Sequence, residues 1–214
     1  SGFVPAGIYD AAGPGSDDFR TVGGDYYDTS AEAYAANCEE ARALLAEAGY
    51  PNGEGFPTVE YLYNTNDNHK AIGEALQNMW QTELGVTVTL NNQDWNVFLE
   101  NRKQGNYQIS RNGWIADYND PITFLDMWYT DGGNNDAQYS RAEYDAAIDA
   151  AKATSVPAER MKAMHEAEDI PMKEDNVLCP LYFYTQKYML NSDINGMYYT
   201  PLGYFFFTYA QPNA

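Results

Sequence analysis

"TVEYLYNTNDNHKAIGEALQNMWQTELGVTVTLNNQD", residues 58–94, reads as strand, helix and strand in immediate succession. Its opening, TVEYLYN, alternates apolar with polar residues and is rich in β-branched and aromatic side chains, the pattern of a half-buried strand. DNHKAIGEALQNMWQTELG follows with Ile72, Leu76, Met79, Trp80 and Leu84 in helical spacing, so all five are expected on the buried face of a helix that Gly85 stops. VTVTLNNQD then points Val86, Val88 and Leu90 one way and its threonines the other.

Downstream, WNVFLENRKQG reads as a short helix closed by Gly105, and NYQISRNGW as a third strand. The order β-α-β-α-β predicts an α/β fold in which helices flank a partly parallel, mixed sheet. Upstream, SAEAYAANCEEARALLAEAGYP offers Ser30 as N-cap, Leu44 and Leu45 as inward residues, and Gly49 with Pro51 as the stop. Residues 1–30, rich in Gly, Asp, Pro and Ser without a period, read as an irregular surface arm. Beyond Pro121 the pattern is helical through PITFLDMWY, SRAEYDAAIDAAKA and PAERMKAMHEAEDIPMKED, with Pro157 suited to a first turn. NVLCPLYFYTQKYML reads as a long aromatic strand in which Pro180 marks an edge or an irregularity. The aromatic stretch 191–214 has no clear period and reads as a segment that packs against something.

Twelve basic against 31 acidic residues give a net charge of -19, which opposes nucleic acid and anionic membrane surfaces. No apolar run approaches the roughly 20 residues that span a bilayer, and Ser1 to Asp10 lacks the features of a signal peptide, so the chain reads as soluble. Cys38 and Cys179 read as buried thiols; a single bridge between them is the other reading of the pair. The 15% aromatic content suits ligands held by contact area as well as an ordinary core.

Catalytic motifs are missing from the sequence: there is no GxSxG elbow, GxGxxG loop or GxxxxGK[ST] loop, and His69 and His165 lack metal-ligand spacing. No cofactor or metal is expected. Asp117 and Asp120 are the one pair that supports an enzyme reading, as the two carboxylates of a glycoside hydrolase.

RNGWIADYNDP, residues 111–121, carries a different chemistry. Gly113 falls at the C-terminal end of a predicted strand, where α/β proteins place ligands and where a foreign backbone can approach and pair. Trp114 offers a ring face, Asp117 an anion for a cationic group, and Arg102 and Arg111 hold for an anion. A zwitterion with an extended amide backbone meets all of these, which describes a peptide. The plainer alternatives are Trp114 in the core, Asp117 capping the next helix, and both arginines as solvated surface charges.

Together, EARALLAEAGYPNGEGFP, the continuous run from YNTNDNHKAIGEALQNMW to RNGWIADYNDP, and ERMKAMHEAED…VLCPLYFYTQKYML resemble the oligopeptide- and dipeptide-binding proteins of ABC importers, extracellular solute-binding protein family 5. The resemblance implies a two-lobed periplasmic-binding-protein fold (type II), of which this chain would be the C-terminal part: residues 1–190 the second ligand-binding lobe, and 191–214 a segment returning towards the first. It implies a non-enzymatic, extracytoplasmic receptor, periplasmic or lipid-anchored, that delivers short peptides to ABC permease subunits. In relatives, the aspartate of G-W-x-A-D-Y-N takes the ligand's α-ammonium, matched here by Asp117. Gly113, Trp114 and Ile115 match the strand that pairs with the peptide backbone, and Arg102, Arg111 and His69 match residues near the ligand's carboxylate. At Ile115 some relatives carry a disulfide cysteine, so that bridge does not transfer to Cys38 or Cys179. Nickel, haem, a glycan or an opine are the alternative ligands within the family.

Overall fold

A computed structural model describes residues 2–185, 187–200 and 203–213. In chain order the regular elements are α1 (Phe19–Gly23), α2 (Tyr34–Glu47), β1 (Val59–Asn64), α3 (Asp67–Leu84), β2 (Val88–Gln93), α4 (Trp95–Lys103) and β3 (Ile109–Ser110). They continue with α5 (Ile122–Leu125), α6 (Ala142–Ala153), α7 (Pro157–Asp169), β4 (Ile194–Asn195), β5 (Tyr198–Tyr199), β6 (Phe205–Phe206) and β7 (Gln211–Pro212). Two units divide them: a sheet unit of residues 27–113 and 130–140, and a helical unit of residues 1–26, 114–129 and 141–214.

In the sheet unit β1 is central and parallel to both neighbours, with Val59 opposite Val88 and Tyr61 opposite Ile109. Tyr61, Tyr63, Val86 and Val88 form its buried cluster, and Leu45, Leu76, Trp80, Leu84 and Leu90 pack on it. Asn66 starts α3 by accepting the Asn68 and His69 N–H groups at 2.9 and 3.2 Å. Gly85 ends it in the left-handed region at φ 70°, where an added Cβ would overlap the Asn52 carbonyl.

Two expected inward residues face solvent: Leu44 and Met79 are exposed, while their neighbours Leu45 and Trp80 pack on the core. Successive helical residues lie about 100° apart, so only one of each adjacent pair can occupy the middle of the buried face. Ser30 accepts the Ala33 N–H at 3.2 Å in a turn, and α2 itself begins later, at Tyr34. β3 is shorter than the expected third strand because the Gln108 side chain, not its backbone, accepts the Glu60 N–H at 2.6 Å.

In the helical unit α6 packs on α7, burying Tyr144, Ile148 and Ala151 on one helix and Met161, Met164 and Ala167 on the other. α7 widens into a π-turn at Ile170–Glu174, where Pro171 supplies no N–H for the regular ladder and Asp175 N–H reaches the Ile170 carbonyl at 3.0 Å. The stretch read as an irregular surface arm is anchored instead. It contains α1 and buries Val4, Ile8 and Phe19. Its anchor is Glu168, fully buried on α7, which accepts the Phe3 and Val4 N–H groups at 2.8 and 2.9 Å and pairs with Arg20 at 2.7 Å.

The long strand expected over 176–190 does not form among the described residues: Val177 N–H bonds the Pro171 carbonyl, and Leu181 to Tyr184 and Tyr188 to Leu190 lie exposed. Pro180 removes a ladder donor, and the adjacent ladders, β4 with β7 and β5 with β6, pair among themselves. Both cysteines are free thiols. Neither residue is buried as read from sequence, though desolvation raises the Cys179 thiol pKa.

Candidate ligand-binding site

In the sheet unit, β1 and β3 deliver their C-terminal ends to the residues singled out in the sequence. Arg111 N–H bonds the Leu62 carbonyl at 2.8 Å, one ladder step beyond β3, which fixes where its side chain leaves the sheet. His69, in the first turn of α3, sits half-buried with Nδ1 3.4 Å from the Asn64 carbonyl. Burial and the Arg111 guanidinium hold the His69 pKa below its usual 6.5, against the opposing pull of that carbonyl. The Asn64 Oδ1 is buried with no hydrogen-bond partner among the described residues, an acceptor in want of a donor. Arg102, by contrast, is engaged: its Nε meets Asp136 at 2.7 Å and its Nη1 meets Asn112 Oδ1 at 3.0 Å. Gly113 is exposed, and its N–H donates to the same Asn112 oxygen at 2.8 Å.

In the helical unit, Asp117 is exposed, and its carboxylate makes no hydrogen bond or ion pair among the described residues. Its backbone N–H is tied to the hydroxyl of buried Thr123 at 3.1 Å, so the position of the side chain is set from behind. It is Asp120, just ahead of α5, whose Oδ1 accepts the Ile122 N–H at 3.0 Å. Asp120 is also clasped by Arg160 through two bonds, at 2.6 and 2.9 Å, so its oxygens are committed to structure. Trp114 is half-buried, and its indole N–H has no partner among the described residues. Ile115 is 67% exposed. Burial and then the carboxylates of Asp126, Asp120 and Asp117 raise the Tyr118 phenol pKa, which marks this segment as an acidic pole.

The structure thus brings His69, Asn64 and Arg111 together in one unit and Trp114, Ile115 and Asp117 in the other. Sequence reasoning missed Asn112, Asn64 and Asp136. Asn112 carried a signal, an amide between a candidate cation and a candidate glycine; Asp136 lies in a distant Gly-Asn-Asp loop that offered none.

Parallel strands that bring Arg111 to their C-terminal ends beside the His69 imidazole have the arrangement in which α/β proteins meet their ligands. Residues 3–136 match the bacterial extracellular solute-binding proteins, family 5 Middle, and the chain belongs to that family. It is 35% identical over 202 residues to the dipeptide-binding protein DppE of Bacillus subtilis, covering 94% of this chain and 36% of that protein. It is 36% identical over 158 residues to the periplasmic oligopeptide-binding protein OppA of Salmonella typhimurium, covering 74% and 29%. The structure of Listeria monocytogenes OppA bound to peptide superposes with a TM-score of 0.74 at 28% identity, covering all of this chain and 39% of that one. The chain therefore spans about a third of the length of the curated relatives it matches. Solute-binding proteins are receptors by family, and no helix among the described residues is long and apolar enough to cross a membrane.

Proposed function

We propose that the chain is the second ligand-binding lobe of a peptide receptor, a non-catalytic protein that captures short peptides outside the cytoplasm and delivers them to ABC permease subunits. The observation that carries this reading is the Asp117 carboxylate. It stands exposed, without a hydrogen bond or ion pair among the described residues and with its backbone anchored to Thr123, while Asp120 three positions on is engaged by Arg160. A carboxylate held in place without a cation is suited to take one from a ligand, and a peptide's α-ammonium is that cation. Arg111 and His69, cationic or protonatable at the strand end, suit the opposite carboxylate. Gly113, Trp114 and Ile115 suit the ligand's backbone and apolar parts. The relatives' names, dipeptide- and oligopeptide-binding, agree with this chemistry.

Affinity in such a site comes from charge at the ends and backbone pairing between them, so side chains are read loosely and water fills the gaps they leave. The test is calorimetric titration of the full-length protein with a short-peptide pool and with the same pool N-acetylated. Only the free-amine pool is expected to bind, and Asp117→Asn is expected to weaken it roughly 10- to 100-fold, the worth of one charge-assisted bond. Equal binding of both pools would remove Asp117 from the ammonium role, and binding of neither would remove peptides as the ligand.

A further inference from the structure

A relay of contacts in the sheet unit runs from a paired arginine to a backbone donor. Arg102 and Asp136 meet at 2.7 Å with side chains only 14% and 13% exposed, so this guanidinium's charge is answered within the protein. Asp136 is itself held, because the Tyr107 hydroxyl donates to its carbonyl at 2.7 Å. The guanidinium also lies 5.2 Å from the centre of the Phe98 ring, which restricts it from a second side. From this fixed base Nη1 donates to Asn112 Oδ1 at 3.0 Å, and Oδ1 also accepts the Gly113 N–H at 2.8 Å. An arginine and a backbone N–H can only donate, so both require the carboxamide oxygen, and the orientation of Asn112 follows from chemistry alone.

We propose that Arg102 is a positioning residue: pinned by Asp136, it clamps the Asn112 carboxamide, which holds the Gly113 N–H and sets the backbone where β3 runs out. The family resemblance puts Arg102 beside the ligand's carboxylate. Its pairing with Asp136 commits its charge within the protein and gives Arg102 an indirect part. The effect on ligand rests on the peptide-binding reading; the clamp does not.

The two are separated by experiment on the full-length protein. Millisecond hydrogen–deuterium exchange over residues 111–113 should quicken about fivefold at Gly113 in both Asn112→Ala and Arg102→Ala, the loss of one ordinary hydrogen bond. Asn112 is exposed, so its variant folds, and Asp136→Asn carries the same expectation should Arg102→Ala not fold. Unchanged exchange at Gly113 on loosening or removing Arg102 overturns the clamp. In binding, Arg102→Ala should weaken free-acid and C-amidated peptides by the same factor, about fivefold. A loss confined to free-acid peptides would make Arg102 a carboxylate contact and overturn the positioning role. Absence of binding to either pool would sink the peptide reading, with the exchange result still deciding the clamp.

Discussion

His69 lies at the junction of burial, charge and a backbone carbonyl, and its titration reports on all three. Folded, it resists protonation because burial and Arg111 disfavour a second positive charge. Unfolded, it takes up a proton near 6.5. Below that pH the unfolded chain binds more protons at this position, so the His69 contribution to stability falls as pH drops towards the depressed folded value and is constant above 6.5. An NMR titration should place the imidazole below 6.5, and Arg111→Ala should move it upward. A value unmoved by that substitution would show that burial alone sets it. A ligand carboxylate beside Arg111 would act in the same upward direction, so peptide binding in this pH window should take up a proton.

At the scale of elements, α3 packs its Leu76, Trp80 and Leu84 face on the core and is bounded by chemistry at its two ends. Asn66 satisfies two otherwise orphaned N–H groups at the start, and Asn66→Ala should cost about 1 kcal/mol. Gly85 is demanded twice at the other end, by its φ of 70° and by the Asn52 carbonyl that a Cβ would strike. Gly85→Ala should therefore cost more than the roughly 1–2 kcal/mol of the backbone conformation alone. Urea unfolding of the two variants checks both values, and a Gly85→Ala loss no greater than that of Asn66→Ala would mean the Asn52 turn yields freely. The Gly85 stop was legible in the sequence because stops are local chemistry, whereas the Asn66 cap was not picked out. The shortening of β3 was not legible, since it depends on one side chain, Gln108, taking a backbone's place across the sheet. For the same reason Asp117, Arg111 and Gly113 could be picked out as a motif, while the Arg102–Asp136 pairing that changes the part Arg102 plays could not.

Across the whole molecule the least legible feature is the anchoring of the N-terminal segment. Nothing periodic in residues 1–26 announces a buried partner, because what holds them lies far along the chain: chiefly a carboxylate 148 positions beyond Arg20, with His165 on Asp10 and Asp169 on Tyr26. Glu168 is 0% exposed and receives the Phe3 and Val4 N–H groups together with a two-pronged contact from Arg20, whose side chain is 11% exposed. Removing it strips a nearly buried guanidinium of its two-pronged contact and two backbone donors of their acceptor at once. Glu168→Ala should thus cost about 3–5 kcal/mol, the loss usual when one partner of a buried pair is deleted. Replacing both members, Arg20→Met with Glu168→Met, should recover much of that, because no unpaired charge is then left inside. Equilibrium unfolding of the three proteins measures it: a single variant within about 1 kcal/mol of the parent would show that solvent reaches Arg20, and a double variant no better than the single would place the cost in the Phe3 and Val4 amides instead.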